Sequence, residues 1–299
     1  MSDSPVQTSF VNANGLSFEV DRCGNGAKFA LLLHGFPESK FSWRHQMPLL
    51  AQLGYTVWAP NMRGYGRSSR PSSVGDYHID HLVADVGSLI DAAKAKDTLL
   101  IGHDWGAIVA WQVAIRKTRP LDRLIIMNVP HPACIAREFR TLAQLRKSWY
   151  VFFFQIPWLP ERLMTMRGGD AIRRAFIDNA IDKARFPVSV TDEFKRSALQ
   201  PGALTAMVNY YRAALRAGSA AMNPQPGTVD VPTLMIWGLE DVALGKETTV
   251  GTEQYVKDLT LRYLPGVSHW VQQEAPEKVN GMIEAWLKGE PVPFEGEIV

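Results

Sequence analysis

Residues 99–107 read LLIGHDWGA, an apolar run that leads into Gly-x-Asp-x-Gly and then into a helix-like segment that ends near Ile115. This order predicts a strand, a sharp turn and a helix, which is the backbone context of a nucleophile elbow. Gly102 and Gly106 permit the tight turn and keep bulk away from the central side chain. That side chain belongs to Asp104, so the sequence predicts a carboxylate nucleophile.

A carboxylate at this position favours attack on saturated carbon. An aspartate that attacks an alkyl carbon forms an ester, which water can cleave in a second step, whereas a serine would form a stable ether. With a reference pKa of about 3.9, aspartate is ionised at neutral pH and needs no base to activate it. The alternative is that Asp104 only caps the helix that follows it.

The composition excludes several classes of protein. The chain has 299 residues, 46% of them apolar, and a net charge of +2. This length fits one large α/β domain with an insertion, or two domains. No basic block is present, so we expect no nucleic-acid partner. The two cysteines, Cys23 and Cys134, lack metal-ligand spacing, and we expect neither a metal nor another cofactor.

The start of the chain has neither the basic segment nor the apolar segment of a secretory signal. The longest apolar run, residues 149–154, is far too short to span a bilayer. We therefore expect a cytoplasmic protein without a membrane span, present as a monomer or a homodimer.

Apolar runs typical of buried strands alternate with helical patterns, which predicts an α/β fold with a mostly parallel sheet covered by helices on both faces. We predict strands at residues 29–33, 56–59, 98–101, 124–128, 234–237 and 261–264, and helices at 77–93, 107–115 and 275–287.

The alternation stops between Pro132 and Thr228, where the sequence is helix-like and rich in aromatic residues. We predict that residues 132–228 form a helical cap, and that residues 1–131 and 229–299 form the core domain.

Two further candidates follow later strands. Asp241 lies just after the run 234–237, and His269 lies just after the run 261–264. Functional groups gather beyond the carboxyl ends of the strands in an open parallel sheet, and the order Asp104, Asp241, His269 is the one expected for this elbow. We predict that His269 activates water and that Asp241 orients it.

Other interpretations of these residues stay open. Glu240 is the competing acid, Asp241 is also a typical turn residue, and His269 could be an ordinary loop histidine. Backbone amides would supply the oxyanion hole, and the candidates are those of Phe36 and Trp105.

Several motifs along nearly the whole chain together resemble the epoxide hydrolase branch of the α/β-hydrolase family. They are HGFPES (34–39), RGYGRSS (63–69), GHDWGA (102–107), NVPHP (128–132), WYVFFFQIP (149–157), NYYR (209–212), GLEDVAL (238–244) and SHW (268–270). The resemblance implies the α/β-hydrolase fold with an inserted cap, and hydrolysis of a small-molecule epoxide to a vicinal diol through an aspartyl ester.

The resemblance also implies two cap tyrosines that hold the epoxide oxygen. They would be Tyr150 and Tyr211, with Tyr210 as the competing assignment. A phenol suits this role, because ring opening leaves negative charge on an oxygen that stays in the product, and a phenol can donate a proton to it. Both tyrosines could instead be core aromatics. For the wall of the substrate site we predict Trp105, Phe36, Trp149 and Phe153.

Two other functions compete with this interpretation. A haloalkane or haloacid dehalogenase would use the same nucleophile, and Trp105 could bind halide. This chain differs from haloalkane dehalogenases at Phe36, where those enzymes have Asn. It differs from fluoroacetate dehalogenases at Trp105 and Ile108, where those enzymes typically have Arg. From another class, a non-catalytic small-molecule receptor could have kept the fold and lost turnover.

Overall fold

The computed structural model describes residues 5–138, 141–222 and 227–294. Within them, one sheet has eight strands in the order β1-β2-β4-β3-β5-β6-β7-β8. The strands are β1 (Gln7–Ala13), β2 (Leu16–Cys23), β3 (Lys28–Leu33), β4 (Tyr55–Pro60), β5 (Thr98–His103), β6 (Arg123–Met127), β7 (Thr233–Gly238) and β8 (Leu259–Leu264). From β3 to β8 every pairing is parallel.

The six parallel strands confirm the predicted ones to within two residues at each end. The antiparallel pair β1 and β2 was not predicted, because β1 is mostly exposed and has no apolar run. A signal was nevertheless present. Asn14 and Gly15 both adopt positive φ in the turn between the two strands, and Asn-Gly is the preferred dipeptide of such hairpin turns.

Helices flank the sheet in the core part of the chain. They are α1 (Gln46–Gln52), α2 (Ile79–Ala93), α3 (Trp105–Ile115), α10 (Val271–Glu274) and α11 (Pro276–Lys288). α2 begins two residues after the start predicted for the helix 77–93. The reason is that Tyr77 ends a short 3₁₀ helix and His78 then caps α2 with an extended backbone.

Between β6 and β7 all described regular elements are helical. They are α4 (Pro132–Glu138), α5 (Leu142–Lys147), α6 (Trp149–Phe153), α7 (Leu159–Ile177), α8 (Val188–Ala198) and α9 (Ala203–Met222), with a short 3₁₀ helix, Lys183–Arg185. The absence of strands here, within 132–138, 141–222 and 227–228, agrees with a helical insertion. The division at residues 132 and 228 stays a prediction.

The sheet separates two apolar layers, since alternate residues of a strand point to opposite faces. In β3, Leu31 and Leu33 pack in the layer that contains α2, α3 and much of the cap. Ala30 and Leu32 pack in the other layer, against α1 and α11. No helix in the described ranges has both the length and the apolarity needed to cross a membrane.

Candidate active site

The strand, sharp turn and helix around Asp104 are formed as the sequence predicted. β5 ends at His103, α3 begins at Trp105, and Asp104 between them has φ 49° and ψ −123°. This is a sparsely populated conformation, of the kind found at functional sites. The Asp104 side chain makes no capping hydrogen bond to α3, so the structure does not support the helix-cap interpretation.

Close backbone approach explains both glycines of the elbow. A Cβ on Gly106 would lie 2.0 Å from the Leu33 carbonyl oxygen, and one on Gly102 would lie 2.6 Å from the Ala107 Cα. The elbow is thus pressed against β3 and against the first turn of its own helix, and neither position has space for a side chain.

Two groups hold the Asp104 carboxylate. The Phe36 N–H donates to Oδ1 at 2.6 Å, and His269 Nε2 lies 3.6 Å from Oδ2. Gly35 permits this approach, because a Cβ there would be 2.3 Å from Oδ1. Trp105 is the first residue of α3, so its N–H has no acceptor within the helix. The oxyanion role of these two amides stays a prediction.

Asp241 and His269 lie together, as the order of motifs implied. His269 Nδ1 is 2.7 Å from Asp241 Oδ2. The other carboxylate oxygen, Oδ1, accepts the backbone N–H groups of Ala243 at 2.7 Å and Leu244 at 2.9 Å. Glu240 is exposed whereas Asp241 is buried, so Asp241 is the acid that contacts the histidine.

Asn128 is a polar residue of the site that the sequence analysis did not single out. It follows β6, is fully buried, and donates from Nδ2 to Asp241 Oδ2 at 2.7 Å. Its Oδ1 accepts the Gly238 N–H at 3.0 Å, so its orientation is fixed. A polar residue directly after an apolar strand, at the start of NVPHP, was the available signal.

The two candidate tyrosines face each other from different helices. Tyr150 lies on α6 and Tyr211 on α9, and their ring centroids are 5.9 Å apart. Tyr210 points elsewhere: its hydroxyl donates to the Arg63 carbonyl oxygen at 2.7 Å. Because that hydroxyl is already engaged, Tyr211 is the better candidate to contact a ligand.

A cavity of about 150 Å³ connects these groups. Asp104, Trp105, Tyr150 and Tyr211 all line it. The other lining residues are largely apolar. They come from around the start of α2, from α3, from the β6–α4 turn and α4, from around α6, from α9 and from the loop after β7: Tyr77, His78, Ile79, Ile108, Trp111, Gln112, Val129, Pro130, Pro132, Ile135, Ser148, Val151, Tyr210, Ala214, Ala217 and Leu244.

Three of the predicted wall residues do not line this cavity. The Trp149 side chain is 62% exposed, so that prediction is wrong. Phe153 packs against Trp149 and Phe154, and the Phe36 ring packs against Phe154 and Tyr211. The orientation of α6 is responsible, because it turns Tyr150 and Val151 toward the cavity and Trp149 toward solvent. Trp105 lines the cavity as predicted.

Comparison with known proteins identifies the family. A family model described as alpha/beta hydrolase fold matches residues 31–165. An AB hydrolase superfamily protein of Bacillus subtilis, YfhM, is 38% identical over 95% of this chain and 99% of its own length. Epoxide hydrolase 4 of Mus musculus is 36% identical over 94% of this chain and 79% of its own. The chain belongs to the epoxide hydrolase branch of the α/β-hydrolase family.

Solved structures give the same result. An epoxide hydrolase from Bacillus megaterium, in complex with an inhibitor, superposes with a TM-score of 0.87 at 29% identity, covering 94% of this chain and all of that one. Epoxide Hydrolase A from Mycobacterium thermoresistibile superposes with a TM-score of 0.81 at 27% identity over 97% of this chain.

In this member of the epoxide hydrolase branch, two carboxylates control the charge of His269. Burial works against the cation, but Asp241 and Asp104 outweigh it and raise the pKa of His269 well above its usual value. Burial also opposes ionisation of Asp241, yet His269 and Asn128 lower the pKa of Asp241. With a pKa of about 10, the His269 ring is a cation at neutral pH.

Burial and the nearby Asp104 charge raise the pKa of both candidate tyrosines. The pKa of Tyr150 and that of Tyr211 lie well above the usual value, although a side-chain hydrogen bond with Trp105 works the other way for Tyr211. Both phenols are therefore protonated at neutral pH and can donate hydrogen bonds.

Sequence reasoning also missed a buried network behind the elbow. Glu38, fully buried, accepts the Gly35 N–H at 2.8 Å, the Ser42 hydroxyl at 2.8 Å and a ring nitrogen of His103 at 2.8 Å. It also accepts the side-chain amides of Gln272 and Gln273. The second ring nitrogen of His103 lies 2.8 Å from the carbonyl oxygen of His269, so one carboxylate connects the loop after β3, the elbow and the segment after β8.

A second network fixes the tyrosines relative to each other. Arg212, next to Tyr211 on α9, donates from Nε to the Phe154 carbonyl at 3.0 Å and from Nη2 to the Ile156 carbonyl at 2.9 Å. It also forms an ion pair with Glu161 at 2.6 Å. Because both carbonyls follow α6 directly, the guanidinium ties the Tyr150 helix to the Tyr211 helix.

Proposed function

We propose that this protein hydrolyses epoxides to vicinal diols through a covalent ester on Asp104. The observation that carries the proposal is the arrangement around one cavity: an elbow carboxylate stands there with two protonated phenols, and a His–Asp pair lies behind it. A carboxylate nucleophile suits an alkyl carbon, and a phenol suits a leaving oxygen that must be protonated.

In the first step, Asp104 attacks an epoxide carbon from the side opposite the C–O bond that breaks. The bond from Asp104 to carbon forms as the carbon–oxygen bond of the ring opens. Tyr150 and Tyr211 donate hydrogen bonds to the oxygen, and one of them supplies its proton. The product is a neutral hydroxyalkyl ester.

In the second step, water attacks the carbonyl carbon of that ester. Once Asp104 is esterified, one of the two negative charges next to His269 is gone, so the pKa of the imidazolium falls. It releases its proton, which through solvent restores the tyrosine that protonated the epoxide oxygen. The neutral imidazole then accepts a proton from the attacking water. The amides of Phe36 and Trp105 stabilise the tetrahedral oxyanion. Collapse then releases the diol and restores the carboxylate.

Dehalogenation has less support from this site. Tyr211 has a side-chain hydrogen bond with Trp105, which engages the indole that would otherwise bind halide. Residue 36 contributes an apolar ring packed on Phe154 and Tyr211. A receptor would have no need of a strained carboxylate beside a paired imidazole.

Parallel incubations with styrene oxide, 1,2-dibromoethane and fluoroacetate test the proposal. We expect diol from the epoxide and no bromide or fluoride. A single turnover in ¹⁸O-water should place the label in Asp104, because water attacks the ester carbonyl. Halide release without diol would establish dehalogenation instead, and the absence of all three products would favour a receptor.

The double variant Tyr150→Phe, Tyr211→Phe tests the phenols. We expect ring opening to be abolished while the circular dichroism spectrum is unchanged, and full activity would remove both residues from the mechanism. The cap at 132–228, the cytoplasmic location and the monomeric or homodimeric state are kept as proposals from the sequence.

A further inference from the structure

The cavity wall indicates which epoxides can enter. Of the residues that line it in the described parts of the chain, Asp104 alone carries a carboxylate, and none is Lys or Arg. The nearby cation Arg116 is already engaged, since Nη1 pairs with Asp80 at 2.5 Å and Nε donates to Gln112 Oε1 at 2.9 Å. A substrate anion would find no Lys or Arg partner among these lining residues and would face the Asp104 side chain, which already pairs with His269.

Three further polar groups of the wall, apart from the two candidate phenols, have partners within the protein. The Tyr210 hydroxyl donates to the Arg63 carbonyl oxygen, the Ser148 hydroxyl accepts from the Gln144 amide at 3.0 Å, and His78 Nδ1 lies 3.2 Å from the Asp80 carboxylate. Burying an unpaired anion among such groups is strongly unfavourable. The rest of the wall is aliphatic or aromatic.

The size of the cavity sets a second limit. Its volume is about 150 Å³, which is similar to an apolar void of about 150 Å³ known to hold one benzene molecule in another protein. Pockets for drug-sized ligands start at roughly 300 Å³. The cavity is therefore closer in volume to one small ring than to a drug-sized ligand.

We propose that the substrate is a neutral, apolar epoxide with one small ring or a short chain, and that the site excludes epoxides with a carboxylate or a long acyl chain. This inference rests on the proposed epoxide hydrolase activity and narrows it. Anionic epoxides are excluded by the free-energy cost of desolvating their charge, and long epoxides are excluded by the small volume beside Asp104.

A matched panel at pH 8.5 tests charge separately from size. It contains styrene oxide, methyl 3-phenylglycidate, the 3-phenylglycidate anion and methyl 9,10-epoxystearate. We expect the kcat/KM values for styrene oxide and for methyl 3-phenylglycidate to agree within about tenfold. The kcat/KM value for the 3-phenylglycidate anion should be at least about 100-fold lower than that for its methyl ester. The long neutral ester should also be at least about 100-fold below styrene oxide.

A substitution in the cavity wall tests whether the lack of a lysine or arginine there excludes anionic epoxides. Ala214 lies one turn after Tyr211 on α9 and lines the cavity. Ala214→Lys should raise the ratio of kcat/KM for the glycidate anion to that for its ester by at least about tenfold. Ala214→Met, of similar length and uncharged, should leave this ratio unchanged.

The outcomes distinguish a failure of this substrate preference from a failure of the proposed epoxide hydrolase activity. Equal kcat/KM for the anion and its ester, or efficient turnover of the long ester, would overturn this inference and leave the proposed activity intact. A lack of diol from every epoxide in the panel would overturn the proposed activity itself.

Discussion

Single residues around Asp104 are coupled by charge, and in the proposed mechanism this coupling sets the order of the two chemical steps. His269 lies between Asp104 and Asp241, and both carboxylates raise its pKa. In the resting enzyme the imidazole is a cation at neutral pH, because its pKa is raised to about 10. In the proposed mechanism, ester formation removes the charge of Asp104, so the same imidazole becomes a base only after the first step.

Replacing Asp104 by Asn imitates the neutral ester at this position. In Asp104→Asn the pKa of His269, followed by NMR of the ring protons, should fall by about one unit or more, since an opposite charge at this distance shifts a pKa by about 1 to 3 units. Asp122→Asn, a surface change far from the imidazole in sequence, is the control. An unchanged pKa would mean that Asp241 alone sets it.

Removing the base should separate the two steps. His269→Gln should still form the ester but should lower turnover by roughly 10²- to 10⁴-fold, because general base catalysis of the second step is lost. Mass spectrometry after incubation with styrene oxide should then detect protein heavier by one substrate molecule. The exposed His81 provides the control His81→Gln, which should turn over normally and carry no adduct. Slow turnover without an adduct would place His269 in the first step.

Whole elements place the two phenols, and the guanidinium of Arg212 joins the elements concerned. Both it and Glu161 are largely buried, so Arg212→Met should leave an uncompensated charge and lower the free energy of unfolding by about 3 to 5 kcal/mol. Arg212→Lys keeps a charge for Glu161 but cannot reach two carbonyls with a planar fork.

The two Arg212 variants distinguish a structural role from positioning. We expect both variants to open the epoxide ring more slowly than the wild type in a single turnover. In urea unfolding, however, Arg212→Lys should be much more stable than Arg212→Met. Arg216→Met, on the exposed surface one turn further along α9, is the matched control for both measurements. Recovery of the rate together with the stability would show that Arg212 only supports the fold.

The sequence predicts what is local and leaves out what depends on packing between distant elements. The positions of Asp104, Asp241 and His269 could be predicted, because each lies in the loop or turn after an apolar strand and parallel strands end at one edge. Glu38 could not, because its role depends on His103, which is 65 residues away. The residues that line the cavity could be predicted only in part, because the rotation of the short helix α6 is set by its neighbours and not by its own sequence pattern.

At the scale of the whole molecule, Glu38 connects the loop after β3, the elbow and the segment after β8. Burial opposes its ionisation, but His103 and the backbone N–H of Gly35 lower its pKa from 4.5 to about 2. A carboxyl group with a lowered pKa stabilises the fold above its unfolded pKa and loses that contribution as the pH falls through the folded one. Stability should therefore decrease between pH 4.5 and 2.

Glu38→Gln should remove this pH-dependent part. We expect the variant to lose roughly 3 kcal/mol at pH 7 and to have a flatter stability curve in acid, measured by urea unfolding at several pH values. Glu193→Gln, on the surface of α8, is the control and should follow the wild type. If the Glu38→Gln and wild-type curves ran parallel from pH 7 to pH 2, the acid sensitivity would have to come from other carboxylates, with Asp241, whose pKa is also lowered, as the next candidate.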